Sequence, residues 1–266
     1  AMQGVDCVIH AAAMVSLTSR QHSKMFRVNV KGTENVVNTA LKMGVKKLCH
    51  ISSIAALGTP EDKNTLSEET KWKNHATTEY AITKERAERE VWRGAAEGLK
   101  VLVLNPSTVL GYGDWNKSSS ALFKYVWNEG KYYPNGLLNY IDIRDLVDIT
   151  CQLLKMDIHA ERFILNAGTV SFQEIFTKIA HKFAKKKPHL PLVTWKANLA
   201  WRLEAVLSFL GNREPKITKY SIKAGNSSHL YLNTKILNLL DNFEFKKLDD
   251  TLNWICQKYS NEKTNS

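Results

Sequence analysis

Cysteine is scarce: Cys7, Cys49, Cys151 and Cys256 are the four in 266 residues, and none share a paired spacing. That excludes a disulfide framework, and the lack of any CxxC or HxxxH spacing argues against a zinc site. Cys7 and Cys49 sit in apolar, strand-like runs, where a free thiol behaves as a small hydrophobe. Thirteen Gly and six Pro exclude a collagen-like or low-complexity chain. No apolar run approaches the ~18 residues of a membrane-spanning helix, and no basic start leads into an apolar stretch and a cleavage site. The expectation is a reduced, cytoplasmic setting with no membrane partner.

What is present is ordinary for a globular protein: 44% hydrophobic and 24% charged residues in 30.2 kDa. The length suits one large α/β domain, alone or with a smaller lobe. The formal charge of +11 is uneven. Residues 1–150 hold 19 Lys+Arg against 16 Asp+Glu, and residues 151–266 hold 18 against 10. The basic residues are scattered and match no nucleic-acid motif, so they read as solvated surface, without a nucleic-acid partner. The tight run Lys185-Lys186-Lys187 reads as a helix end before Pro188.

Strand-like and helix-like segments alternate. Strands are expected at Val5–Ala11, Lys47–Ile51, Leu99–Leu104 and Arg162–Leu165, and a short segment, Asn139–Ile141, leads into a helix. Helices are expected at about 19–43, 80–97 and 118–129, with another after Asp142. Ser171-Phe172-Gln173-Glu174 is a capping box. An amphipathic helix at 197–210 carries Trp201 and Phe209, and reads as core. Asn233 is expected to cap a late helix, Thr251–Tyr259 to lie in the last one, and the tail after Tyr259 to be disordered. Apolar strands between helices point to an α/β fold with a parallel sheet covered on both faces.

The chemistry concentrates in a few places. Tyr80 and Lys84, at i and i+4, share one helix face. A nearby ammonium is expected to lower the phenol's pKa from ~10 and make Tyr80 an acid or base near neutrality. Upstream, His50-Ile51-Ser52-Ser53-Ile54-Ala55-Ala56-Leu57-Gly58 places two serines at a strand's carboxyl end, where α/β sheets bind ligands. Their plain alternative is to cap the loop backbone. Val8-Ile9-His10-Ala11-Ala12-Ala13 leaves small residues at another strand end, suited to a flat ligand or to tight packing. Asn29-Val30-Lys31-Gly32-Thr33 lies within a helix, and Asn105-Pro106-Ser107-Thr108-Val109-Leu110-Gly111 follows a third strand.

With these motifs in this order over residues 4 to about 150, the sequence resembles the extended short-chain dehydrogenases/reductases, the NAD-dependent epimerase/dehydratase family. Ser-Ser-Ile-Ala-Ala with Asn-Pro-Ser-x-Val-Leu-Gly is most similar to the dihydroflavonol-4-reductase-like branch. The resemblance implies a Rossmann-type doubly wound parallel sheet over residues 1–167, with 107–135 contributing to a small substrate lobe formed mainly by 168–266. It implies catalytic Ser53, Tyr80 and Lys84, with NAD or NADP as cofactor. It places Ala11, Ala12, Ala13, Met14, Val15, Asn29, Ser52, Tyr80, Lys84, Pro106 and Val109 beside that cofactor. It also implies a small carbonyl or alcohol substrate, and a homodimer built on helices near 20–43 and 80–97.

One departure stands out. The family's Gly-rich phosphate cradle has no counterpart here, since no Gly-x-x-Gly-x-x-Gly occurs. The resemblance therefore implies that roughly 60 residues, about two βαβ-type units, belong ahead of Ala1. Ser53 is followed by Ile54-Ala55 rather than Asp-Glu, which disfavours dehydration. Hydride transfer to a ketone or aldehyde is the leading expectation. A nucleotide-sugar epimerase and a non-catalytic dinucleotide-binding scaffold are the alternatives. Tyr112, Trp115 and Tyr140 read as pocket lining or core. Asp142 and Arg144 read as a helix cap and ion pair.

Overall fold

A computed structural model describes residues 1–16, 21–58, 65–70, 78–192, 202, 222 and 225–264. The helix expected at 197–210, with Trp201 and Phe209, lies outside the described residues apart from Arg202, as does the expected helix start at Ser19. The chain forms two compact units. The first comprises Ala1–Ser107, Val147–Asn166 and Leu230–Asn242; the second comprises Thr108–Leu146, Ala167–His229 and Phe243–Ser266.

The first unit is built on β1 (Cys7–His10), β2 (Lys47–Ile51), β4 (Lys100–Pro106) and β8 (Glu161–Leu165). They form a parallel sheet in the order β1-β2-β4-β8. Val101, Leu102, Val103 and Leu104 of β4 are fully buried, because a central parallel strand has no solvent face. Each such side chain contributes about 1.5–3 kcal/mol relative to exposure. Cys49 is likewise buried, but Cys7 is exposed, against expectation: β1 is the sheet's edge among the described residues, and Ile9 beside it is 51% exposed. A short pair, β3 (Thr65–Leu66) with β11 (Leu230–Tyr231), packs Leu66 and Tyr231 with Leu57 and Ile164.

Helix α1 (His22–Phe26) runs through a π-turn, Arg27–Lys31, into α2 (Gly32–Lys42). Gly44, at φ +68°, follows the helix end. Helix α3 (Glu79–Ala96) begins at Thr78, whose hydroxyl accepts from Ala81 N–H at 3.1 Å, and gives way to Gly98 at φ +99°. Helices α2 and α3 approach closely because Gly94 lacks a side chain: a Cβ there would meet Val37 Cγ1 at 2.7 Å.

In the second unit, β5 (Thr108–Leu110) pairs parallel with β7 (Leu137–Asp142), which pairs antiparallel with β9 (Gly168–Ser171). A separate pair joins β6 (Tyr132–Tyr133) to β10 (Leu190–Pro191). Helix α5 (Ile143–Lys155) follows β7 directly and lies mostly in the first unit; among the described residues the further helices are α4 (Ser120–Trp127), α6 (Phe172–Lys182), α7 (Thr234–Leu239, in the first unit) and α8 (Leu248–Thr264). Phe123, Phe176, Ile179, Ile255 and Tyr259 form the centre of the second unit's core.

Three expected ends are corrected. Helix α6 stops at Lys182, ahead of the triple lysine, because Ala184 takes φ +52°, and Lys185 N–H bonds Ala180 O while Ala184 N–H bonds His181 O. Asn233 sits at the α7 start but makes no cap; its amide donates to Asn166 O at 2.7 Å. The tail after Tyr259 is helical to Thr264, since no Gly or Pro interrupts α8 and Asn261 and Glu262 stay in solvent. Ser171 caps α6 as expected, accepting from Glu174 N–H at 3.1 Å.

Candidate active site

Parallel strands bring β1, β2 and β4 to a common carboxyl edge, so the residues leaving His10, Ile51 and Pro106 lie side by side. After β1 come Ala11, Ala12 and Ala13, all exposed, then Met14 and the exposed Val15. Asn29 fixes this segment from the π-turn: its Oδ1 accepts from Met14 N–H at 2.7 Å and its Nδ2 donates to Met14 O at 2.9 Å. The same Nδ2 donates to Thr83 Oγ1 at 3.0 Å, and Thr83 donates to Tyr80 O at 2.9 Å. One buried amide thus ties the first strand end to the start of α3. The π-turn, closed by Gly32 N–H to Arg27 O, carries Asn29 into that position.

After β2, three successive residues are held separately. The Ile51 carbonyl accepts from Lys84 Nζ at 2.9 Å. Ser52 donates its hydroxyl to Glu88, while its N–H bonds Leu104 O at 2.7 Å. The Ser53 carbonyl accepts from Asn105 Nδ2 at 2.9 Å. Ser53 Oγ caps the following 3₁₀ turn, Ile54–Leu57, accepting from Ala55 N–H at 3.2 Å. The capping role and the approach to Tyr80 coexist, because Ser53 also hydrogen-bonds the Tyr80 phenol.

The expected lowering of the Tyr80 pKa by Lys84 is not what the structure shows. Burial raises the phenol above its ordinary value, and the Ser53 hydrogen bond is what opposes the rise. Lys84 is turned to the Ile51 carbonyl instead. Burial lowers its ammonium to about 8, and Glu88, one helical turn on, pulls it back up. An ammonium has three hydrogens; one goes to Ile51. Next to this group, His10 and His50 face each other at 5.2 Å between ring centroids. Both are held below the ordinary histidine value, first by burial and then by the Lys84 charge.

Pro106 ends β4 in register with Leu165, and the buried Ser107 donates its N–H to Leu165 O at 2.9 Å. Val109 lies in β5 of the second unit, where its carbonyl accepts from Ser119 Oγ at 2.5 Å. In that unit Trp115 and Tyr140 pack on the core, and Tyr112, 43% exposed, bonds Glu262 at 3.1 Å. Asp142 is both cap and ion pair as expected: its Oδ1 accepts from Arg144 N–H at 2.8 Å and its Oδ2 pairs with Arg144 Nη2 at 2.6 Å. Sequence reasoning passed over Glu88, Thr83 and Arg162. The i,i+4 step from Lys84 to Glu88 was the available signal.

A parallel sheet with helices crossing between strands and functional groups gathered at the strand ends defines a Rossmann-type α/β protein. Residues 1–168 match the NAD dependent epimerase/dehydratase family, and the chain belongs to that family. It is 27% identical over 264 residues to a Synechocystis sp. protein whose name assigns it provisionally to dihydroflavonol 4-reductase, across 95% of this chain and 77% of that one. Cinnamoyl-CoA reductase 1 of Petunia hybrida is 31% identical over 199 residues, 71% of this chain and 59% of that one. Among solved structures, UDP-glucuronic acid 4-epimerase from Bacillus cereus in complex with NAD superposes with TM-score 0.73 at 15% identity, covering 96% of this chain and 73% of that one. At that identity the likeness is one of fold.

Proposed function

We propose that the protein is an NAD- or NADP-dependent oxidoreductase that reduces a small ketone or aldehyde, or oxidises the corresponding alcohol, through Ser53, Tyr80 and Lys84. The observation that carries this reading is the Tyr80 phenol hydrogen-bonded to Ser53, one helical turn from the buried Lys84 ammonium. The site suits a nicotinamide cofactor. Exposed small residues Ala11–Ala13 leave the first strand end open to a flat group, and Lys84 keeps N–H donors for a ribose hydroxyl. Met14, Val15, Asn29, Ser52 and Pro106 complete the proposed cofactor contacts of the first unit. When bound, the nicotinamide supplies or takes the hydride.

The chain's own residues do the acid–base work. Tyr80, held protonated at neutral pH by burial, donates its proton to the carbonyl oxygen in the reducing direction. Ser53 donates a hydrogen bond to the same oxygen, and Lys84 fixes the ribose. The names of the relatives, reductases of a dihydroflavonol and of cinnamoyl-CoA, support the reducing direction. The resemblance adds a cytoplasmic homodimer packed through α2 and α3.

Tyr80→Phe tests the reading. With NADH and NADPH offered against a panel of aryl aldehydes, dihydroflavonols and aliphatic ketones, the variant should lose at least ~10²-fold in kcat. Its melting temperature should stay close to that of the parent. Full turnover in Tyr80→Phe overturns the Ser-Tyr-Lys assignment. Interconversion of a nucleotide-sugar without net change in nicotinamide absorbance would transfer the site to epimerisation.

A further inference from the structure

Glu88 is the unexplained group nearest the site. It is 1% exposed, yet it carries a carboxylate, and such a group is costly to bury without partners. It has three donors: Ser52 Oγ, Asn105 Nδ2 at 2.6 Å, and the Arg162 guanidinium, which also lies over the Trp92 ring. These come from three different strand ends. Asn105 spends its second amide hydrogen on the Ser53 carbonyl, so the carboxylate reaches Ser53 through one intermediary. On its own helix, Glu88 stands one turn beyond Lys84, whose ammonium holds the Ile51 carbonyl.

Resting on the reading of Ser53, Tyr80 and Lys84 given above, we propose that Glu88 is the positioning residue of the site. Its carboxylate clamps the strand end bearing Ser52 and Ser53 and supplies the negative charge that faces the Lys84 ammonium. Arg162 sets how much of that charge Lys84 feels. A buried Glu–Arg pair alone would need neither the serine nor the asparagine. Here the pair sits where each additional hydrogen bond fixes one of residues 51–53.

The charges around Lys84 allow a clean reading. Its other titratable neighbours are Tyr80, one turn back on α3, whose phenol burial keeps protonated, and His10 on β1 and His50 on β2, whose rings burial pushes below the ordinary histidine value. Of the other charged groups on α3, Glu79 pairs with His22, Glu85 with Arg89, and Glu90 with Arg93, which also reaches Glu97, while Arg86 lies over the Phe26 ring at 5.7 Å. Removing the Glu88 charge must make the ammonium harder to keep, and removing Arg162 must make it easier.

The experiment is a pH titration of the Lys84 side chain by NMR in cofactor-free protein carrying ¹³Cε-labelled lysine, the signal being assigned with Lys84→Arg. The parent midpoint should fall near 8. Glu88→Gln should lower it by about one pH unit, and Arg162→Gln should raise it. Opposite shifts cannot come from general loosening of the fold, which would move both variants toward the free-lysine value. Should Glu88→Gln fail to fold, Glu88→Gln/Arg162→Gln removes both charges together, and its midpoint should lie below that of the parent. An unmoved midpoint, or shifts of one sign in both single variants, overturns the proposal. Because no substrate enters the titration, it reads Glu88 even where the parent shows no turnover, an outcome that would count against the oxidoreductase reading alone. With turnover, activity requires charged Lys84, so the alkaline loss of kcat should move to lower pH in Glu88→Gln.

Discussion

At the scale of single residues, the site is organised by buried amides as much as by the groups that do chemistry. Asn29 is the clearest case. Its Oδ1 accepts and its Nδ2 donates, so the carbonyl and the N–H of Met14 are met by complementary atoms, and Thr83 takes the remaining hydrogen. Asn29→Asp keeps the shape but turns an acceptor toward the Met14 carbonyl. Thr83 cannot relieve the conflict, because its hydroxyl proton is given to Tyr80 O. The variant should lose about 1–3 kcal/mol of stability at neutral pH. It should recover part of that on acidification, since protonating the new carboxyl restores a donor. The unfolding free energy of the variant relative to the parent, measured in urea at pH 5 and pH 8, checks this. A penalty independent of pH would mean that Asn29 acts through packing. The sequence marked Asn29 through its motif. It did not show that Tyr80 would be raised rather than lowered, because that depends on how deeply the phenol is buried, which spacing does not encode.

At the scale of elements, α3 carries the argument. It supplies Tyr80, Lys84 and Glu88 from one face, and Gly94 from another. Gly94 lets α2 come close, with Val37 Cγ1 only 2.7 Å from where a Cβ would stand. A helix interior ordinarily gains up to ~1 kcal/mol when Gly is replaced by a better helix former. Here overpacking should win: Gly94→Val should cost about 1–3 kcal/mol net and lower the melting temperature. An unchanged or raised melting temperature would mean that α2 and α3 can separate freely. Most of this element was legible in the sequence, from Tyr80 at its start to Gly98 past its end. The strands β2, β4 and β8 were legible as apolar runs for the same reason: a covered parallel strand has no polar alternation. Ends without a glycine were not legible. Helix α6 closes on Ala184, which takes φ +52° with no glycine to announce it. The exposure of Cys7 was hidden as well, because an apolar run does not say whether its strand is central or at an edge.

At the scale of the whole molecule, stability should depend on pH through the buried histidine pair. His10 Nε2 has Thr33 Oγ1 at 2.9 Å, and Thr33 donates its own proton to Asn29 O at 2.6 Å, so the ring donates here. Among the described residues neither ring nitrogen of His50 has a hydrogen-bond partner, and the residue is 1% exposed. Both histidines titrate below their unfolded value of 6.5, His50 well below it, because burial and the Lys84 charge oppose a second and third cation. The sign follows from proton uptake. Below pH ~6.5 the unfolded chain binds protons that the folded chain refuses, so the stability is fully present above that pH and drains away as pH falls toward the folded values. Each histidine contributes a slope of up to about 1.4 kcal/mol per pH unit in that window. The formal charge of +11 also disfavours the compact state in acid, but that self-repulsion is screened by salt, and the desolvation of a buried ring is not. Urea unfolding of His50→Leu and the parent between pH 5 and 7.5, at low and at high salt, separates the two causes. The variant should show a shallower loss of stability below pH 6.5 at both salt concentrations. Equal slopes in variant and parent, abolished by salt, would assign the acid sensitivity to net charge and leave the histidine pair neutral in its effect on folding.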